Sequence, residues 1–140
     1  MFRQMLKSKI HRTTVTEANI NYEGSITIDV DLMDAADILM NEKVLIVNLN
    51  NGSRVESYAI PGDRGSGAIC LNGGAAKHGA PGDLLIIMSF CVLDENEVKT
   101  HSPKVIRVDS KNRILETAGK NSHSRKKKRE FASGLWDAER

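Results

Sequence analysis

Few residues in this chain have types and spacings that could do chemistry. Four histidines (His11, His78, His101, His123) lack the short spacings that metal ligation favours, and two cysteines cannot form a four-cysteine zinc site. No metal is therefore expected. The run Pro61-Gly62-Asp63-Arg64-Gly65-Ser66-Gly67 has the glycine density of a phosphate loop. It lacks the lysine-serine end of that motif and no helical pattern follows it, so a tight turn is the simpler reading. Ser66 between two glycines invites comparison with a nucleophile elbow, without the wider spacing or the helix that motif needs. Gly24-Ser25 is by itself a common turn dipeptide. Lys9 alone reads as a solvated charge, Tyr58 as a half-buried strand aromatic, and Arg54 as an ion-pair partner for Glu56 or Asp63.

The chain that must position these groups has 140 residues, one domain's worth. At that size roughly two-thirds of the unfolded surface can be buried without disulfide staples. Only 4% of residues are aromatic, so Ile, Leu, Val, Met and Ala must fill the core. No apolar run approaches the ~18–20 residues of a membrane span. Met1 to Lys7 carries charge with no apolar stretch behind it, unlike a secretory signal. A cytoplasmic location is expected. Net charge is +2, unevenly spread. Residues 119–140 hold seven basic and three acidic side chains, leaving thirteen basic and fifteen acidic in the preceding body.

The body reads as strand-rich. Met5 to His11 alternates loosely. Ser25 to Val30 alternates cleanly, with Ile26, Ile28 and Val30 on one side and Thr27 and Asp29 on the other. Asp31 or Asp34 is the expected cap of a short helix through Met40. Val44 to Leu49 and Arg54 to Ile60 pair around Asn50-Asn51-Gly52. Arg54, Glu56 and Tyr58 then share one face, and Val55, Ser57 and Ala59 the other. Ala68 to Leu71 precedes a change of direction at Asn72-Gly73-Gly74, and Ala75 to His78 reads as one helical turn. Leu84 to Val92 is a buried strand, and Val105 to Val108 returns at Ile114-Leu115 around Ser110-Lys111-Asn112. Many short strands, one small helix and glycine turns predict a mainly β fold, a small closed barrel. Residues 119–140 show no apolar period beyond Phe131, Leu135 and Trp136, and are expected to be disordered.

Motifs at fixed separations add a second line of inference. Lys7-Ser8-Lys9-Ile10-His11-Arg12, Tyr22-Glu23-Gly24-Ser25, Asp34-Ala35-Ala36, Asn51-Gly52, Tyr58-Ala59-Ile60, Arg64-Gly65-Ser66 and Asn72-Gly73 occur in this order. Together they closely resemble the pyruvoyl-dependent aspartate 1-decarboxylases, which make β-alanine for pantothenate. The resemblance covers about residues 1–118. It implies a six-stranded double-psi β-barrel assembled as a homotetramer with sites at subunit interfaces, and a division into a 1–118 domain and a 119–140 tail.

It also implies an inactive proenzyme that cuts itself between Gly24 and Ser25, giving chains 1–24 and 25–140. The Ser25 hydroxyl attacks the Gly24 carbonyl, elimination frees Gly24, and hydrolysis leaves a pyruvoyl group. Glycine suits position 24 by tolerating strain and presenting no side chain to block attack. The oxyanion of the shift needs a donor. The family's threonine there is Ser57 in this chain, which keeps the hydroxyl and loses the stiffening methyl; processing is expected to survive, more slowly. The pyruvoyl group forms a Schiff base with the substrate amine, so neither pyridoxal phosphate nor metal is needed. By the same resemblance Tyr58 is the proton donor, and Lys9 and Arg54 meet the two carboxylates of L-aspartate. Asn72, Gly73, Gly74 and Ala75 join Ser57 in substrate binding, with Gly74 standing where alanine is usual. His11, Tyr22 and Glu23 shape the precursor loop.

Two other classes compete with this reading. A barrel that cannot process itself would act as a binding or regulatory module, and restoring threonine at 57 would then switch activity on. A basic-tailed nucleic-acid binder would lose its binding when residues 119–140 are deleted. The run Arg125-Lys126-Lys127-Lys128-Arg129 could also meet an acidic partner or anionic lipid, although most such runs are simply solvated. Leu135-Trp136 could dock on a neighbouring subunit. Expected partners are thus L-aspartate, further copies of the chain and, where cleavage is assisted, a maturation factor, with no membrane and no nucleic acid.

Overall fold

Strand-forming stretches separated by glycine and asparagine turns build most of residues 1–115, which a computed structural model describes. The tail expected over 119–140, with its basic run and Phe131, Leu135 and Trp136, lies outside the described residues. The strands are β1 (Phe2–Thr14), β2 (Glu17–Asn19), β3 (Ser25–Asp29), β4 (Lys43–Asn48), β5 (Arg54–Gly62), β6 (Ile69–Asn72), β7 (Leu84–Asp94) and β8 (Lys104–Arg107). Two α-helices, α1 (Val30–Ala36) and α2 (Glu95–Thr100), and a 3-10 helix over Gly73–His78 complete it.

The mainly β class holds, with eight strands where six were expected. They pair in the order β2-β6-β3-β5-β4-β7-β1-β8, an open order in which, among the described residues, no ladder joins β2 to β8. β1 and β7 form a long antiparallel ribbon from Phe2 opposite Asp94 to Thr14 opposite Leu84. β8 runs parallel to β1 on its other side. The ribbon bends at two irregularities in β1, between Leu6 and Ser8 and between His11 and Thr13; at the second, Arg12 adopts a φ of 65°.

The core lies where the composition requires it. Ile10, Ile26, Ile28, Ile69, Leu85 and Ile87 have no exposed surface, while Phe2, Tyr22, Tyr58 and Phe90 are all exposed, so no aromatic side chain among the described residues is buried. Each buried Ile or Leu contributes about 1.5–3 kcal/mol relative to an exposed one. β3 sits between β5 and β6 with residues on both its faces buried, so it is an interior strand, not the one-sided strand that its alternation predicts.

Three local differences from the sequence reading have physical causes. Helix α1 is capped by Asp29, not by Asp31 or Asp34: Asp29 Oδ1 accepts from the Asp31 N–H at 2.9 Å. The same carboxylate accepts from the Gly65 N–H at 3.1 Å and the Gly67 N–H at 2.8 Å. The glycine-rich loop is thus an anion cradle whose occupant is Asp29, and its amides are spent on the fold. Helix α2 was not expected, although Asp94 and Glu97 spell a capping box. Asp94 accepts from the Asn96 and Glu97 N–H groups, and Glu97 Oε1 accepts from the Asp94 N–H at 3.0 Å. Strand β2 was also missed, because three residues carry too little pattern to read.

Candidate active site

Ser25 opens β3, the strand held between β5 and β6. Its side chain is 1% exposed, and its hydroxyl donates to the Glu23 carbonyl at 3.2 Å. Directly opposite, at the end of β6, stands Asn72, 4% exposed, whose Nδ2 donates to Ser25 Oγ at 3.0 Å and to Thr27 Oγ1 at 2.9 Å. An asparagine NH2 has two N–H groups, and both are used by hydroxyls on one face of β3.

The backbone beside Ser25 is pressed from one side only. Gly73, which follows Asn72, has a φ of +60°, and a β-carbon there would lie 2.7 Å from both Gly24 Cα and Gly24 N and 2.9 Å from the Tyr22 carbonyl oxygen. Gly24 itself is not in the left-handed region, and a β-carbon on it would meet nothing within 4 Å. The expectation that Gly24 is glycine because its backbone is strained does not hold; the position that demands glycine is Gly73. Gly74 has open space and Ala75 is buried, and these three residues open the 3-10 helix, where N–H groups have no partner inside the helix.

Parallel pairing of β3 with β5 brings two more residues to the same end. Ile26 pairs with Ala59, so counting back one and two residues aligns Ser25 with Tyr58 and Gly24 with Ser57. Tyr58 is 37% exposed, and Ser57 is half-buried on the opposite face of β5. Neither group, among the described residues, has a hydrogen bond within the chain. One end of β3 thus gathers Gly24, Ser25, Ser57, Tyr58, Asn72 and Gly73.

The expected carboxylate-binding cations are elsewhere. Arg54 is exposed at the start of β5, four residues or about 13 Å along the strand from Tyr58. The ion pair expected for Arg54 is absent among the described residues; Glu56 binds Lys43 instead, at 2.7 Å. Lys9 is half-buried on β1, opposite Met88 of β7 and Val105 of β8, and β1 is four strands away from β3 in the sheet order. Its neighbour Lys7 is committed to Glu42 and to the Asp37 carbonyl, both at 2.6 Å, whereas Lys9 has no such partner among the described residues. Tyr22 is exposed in the loop before Ser25, beside Glu23. Among the described residues there is no group of three or more His, Cys, Asp or Glu able to hold a metal ion, and no helix long and apolar enough to cross a membrane.

Sequence reasoning passed over Thr27, which the structure ties to Asn72. The signal was available, since strand alternation puts residues 25 and 27 on one face.

Residues 1–115 match the family model described as aspartate decarboxylase. A relative from Caldicellulosiruptor saccharolyticus named aspartate 1-decarboxylase is 59% identical, covering 89% of this chain and 97% of the relative. One of the same name from Pelotomaculum thermopropionicum is 59% identical, covering 88% of this chain and 93% of the relative. Another, from Listeria monocytogenes, is 60% identical, covering 81% of this chain and 90% of the relative.

Proposed function

Because the chain belongs to the aspartate decarboxylase family, we infer that it is a carboxy-lyase removing the 1-carboxylate of L-aspartate to give β-alanine and CO2. Its product feeds pantothenate, and hence coenzyme A, biosynthesis. We propose that residues 1–118 form the catalytic domain as a double-psi barrel, that four copies assemble, and that the enzyme works in the cytoplasm. Assembly would explain why Lys9 and Arg54 do not face Ser25 within one chain: cations borne on other strands can complete a site from a second copy.

The observation that carries the processing part of this reading is the buried Ser25 hydroxyl, held by Asn72 beside Gly24, the residue that Gly73 packs against. A pyruvoyl group made from Ser25 fits these surroundings, with Asn72 and Gly73 at its flank. In its formation the Ser25 oxygen bonds to the Gly24 carbonyl carbon, the carbon–nitrogen bond breaks, and the hydroxyl proton ends on the freed nitrogen. Loss of the Ser25 α-proton then expels Gly24 as a carboxylate that keeps the oxygen, and water releases the nitrogen as ammonia. The Ser57 hydroxyl, aligned with Gly24, is the donor assigned to the oxyanion.

The finished pyruvoyl carbonyl supplies an electrophile for the substrate amine and a sink for the electrons released with CO2. Tyr58 gives the proton to the α-carbon from its phenolic O–H. Arg54 offers a planar fork to one substrate carboxylate, and Lys9 a compact charge to the other. Asn72 and the backbone of Gly73, Gly74 and Ala75 orient the substrate. A maturation factor is compatible with this scheme and is not required by it.

Intact mass of the denatured protein tests the proposal. Fragments 1–24 and 25–140 are expected, the larger lighter by one ammonia than a chain that begins with serine, together with CO2 release from aspartate. A single uncut mass, or a cut chain that keeps Ser25, in a protein inactive on aspartate would overturn it.

A further inference from the structure

Asn72 faces Ser25 across the β3–β6 ladder; Ser25 gives its one hydroxyl proton to the Glu23 carbonyl, so its Oγ can only accept from Asn72, and Thr27 holds the same amide nitrogen from a second side. Thr27 Oγ1 takes one N–H of Asn72 Nδ2 at 2.9 Å, and Ser25 Oγ takes the other at 3.0 Å. Thr27 is itself held. Its Cγ2 lies over Gly62 of β5, where an added β-carbon would approach it to 3.0 Å. With the methyl seated over Gly62, the hydroxyl on the same carbon is left facing β6.

We propose that Thr27 is a positioning residue for self-cleavage, holding Asn72 Nδ2 in place so that its second N–H stays aimed at Ser25 Oγ. The inference rests on the self-processing reading given above. An N–H aimed at Oγ stabilises that oxygen as it gives up its proton, whereas a carbonyl there would oppose the change. Asn72 is buried, so an N–H deprived of Thr27 has no water to turn to, and the side chain rotates away to satisfy it. Gly62 contributes by leaving room for the methyl that sets the Thr27 rotamer.

The test follows cleavage of freshly made full-length chain by intact mass over time. Thr27→Val keeps the branched shape over Gly62 and removes the acceptor; cleavage is expected to slow about tenfold, the worth of one hydrogen bond. Thr27→Ser restores the hydroxyl and most of the rate. In an Asn72→Ala background, Thr27→Val has no further effect, because its route of action is gone. Cleavage of Thr27→Val at the wild-type rate overturns the proposal, as does equal slowing with and without Asn72. Where the valine variant does not fold, Thr27→Ala serves instead: it removes the acceptor, slows cleavage in the chain with Asn72 and has no effect in the Asn72→Ala background. Equal slowing in both refutes it. A wild-type chain that never cuts itself defeats the self-processing reading and this inference with it, whereas a wild-type chain that cuts and a Thr27→Val chain that cuts equally fast defeat this inference alone.

Discussion

Replacing Gly73 with alanine tests whether the 3-10 turn holds the scissile segment in place. The new β-carbon would sit 2.7 Å from Gly24 Cα and N and 2.9 Å from the Tyr22 carbonyl oxygen, all of them backbone atoms with no flexible side chain to yield. A left-handed φ costs a residue with a β-carbon about 1–2 kcal/mol. Overpacking against backbone adds about 1–3 kcal/mol. The folded precursor should therefore lose about 2–5 kcal/mol, and Gly24 should move away from Ser25 Oγ. Gly74→Ala is the control one residue later: its β-carbon meets nothing within 4 Å and its φ is not positive. It should be neutral, or stabilising by ~0.4–1 kcal/mol through the unfolded chain. Denaturant midpoints of uncut chains (with Ser25→Ala to prevent cleavage) give the stabilities, and intact mass gives the cleavage rate. Gly73→Ala matching Gly74→Ala in both measurements would refute the packing argument.

Asn112 ties β1 to the glycine-rich loop. It accepts from the Thr14 N–H at 2.7 Å and donates to the Thr14 and Gly67 carbonyls, both at 2.8 Å, from a φ of 61°. Asn112→Ala should cost about 3–5 kcal/mol, measured by urea denaturation. The Asn48 amide, with the Ala80 N–H, holds the Asp83 carboxyl below its ordinary pKa, and the Arg113 and Lys111 N–H groups do the same for Asp109. A lowered folded-state pKa means the unfolded chain binds more protons, so this stability is complete above about pH 4 and is lost as pH falls through the folded value. Asp83→Asn with Asp109→Asn should flatten the loss of melting temperature as pH falls below about 4; an unchanged slope refutes the assignment. Truncation after residue 118 should leave both melting temperature and aspartate turnover unchanged, as the proposed domain boundary requires.

Strand content was legible because it rests on local pattern. The faces of β5 came out as alternation predicts, with Arg54, Glu56 and Tyr58 exposed and Ala59 buried. What the sequence could not show was contact across distance. Nothing local reveals that Asp29 fills the loop of Gly65 and Gly67, so local pattern points to Asp31 or Asp34 as the helix cap. The resemblance points to position 24 as the constrained glycine, while the constraint lies on Gly73, imposed by a segment some fifty residues earlier in the chain. The gathering of Ser25, Tyr58 and Asn72 follows from strand order, and strand order is written in pairings that no single segment contains.

The position of β1 between β7 and β8 has a consequence for molecularity. If the chain is cut after Gly24, residues 1–24 still contribute β1 and β2, paired to β7, β8 and β6. The matured protein is then a heterodimer of its own pieces, joined by no covalent bond. Folding of the precursor is unimolecular, but unfolding of the mature form releases two chains, and its midpoint should rise with protein concentration by mass action. Denatured mature protein must find its first strand again by collision, whereas the precursor carries that strand with it. Self-cleavage would therefore remove an easy route back to the fold in the same step that creates the active group.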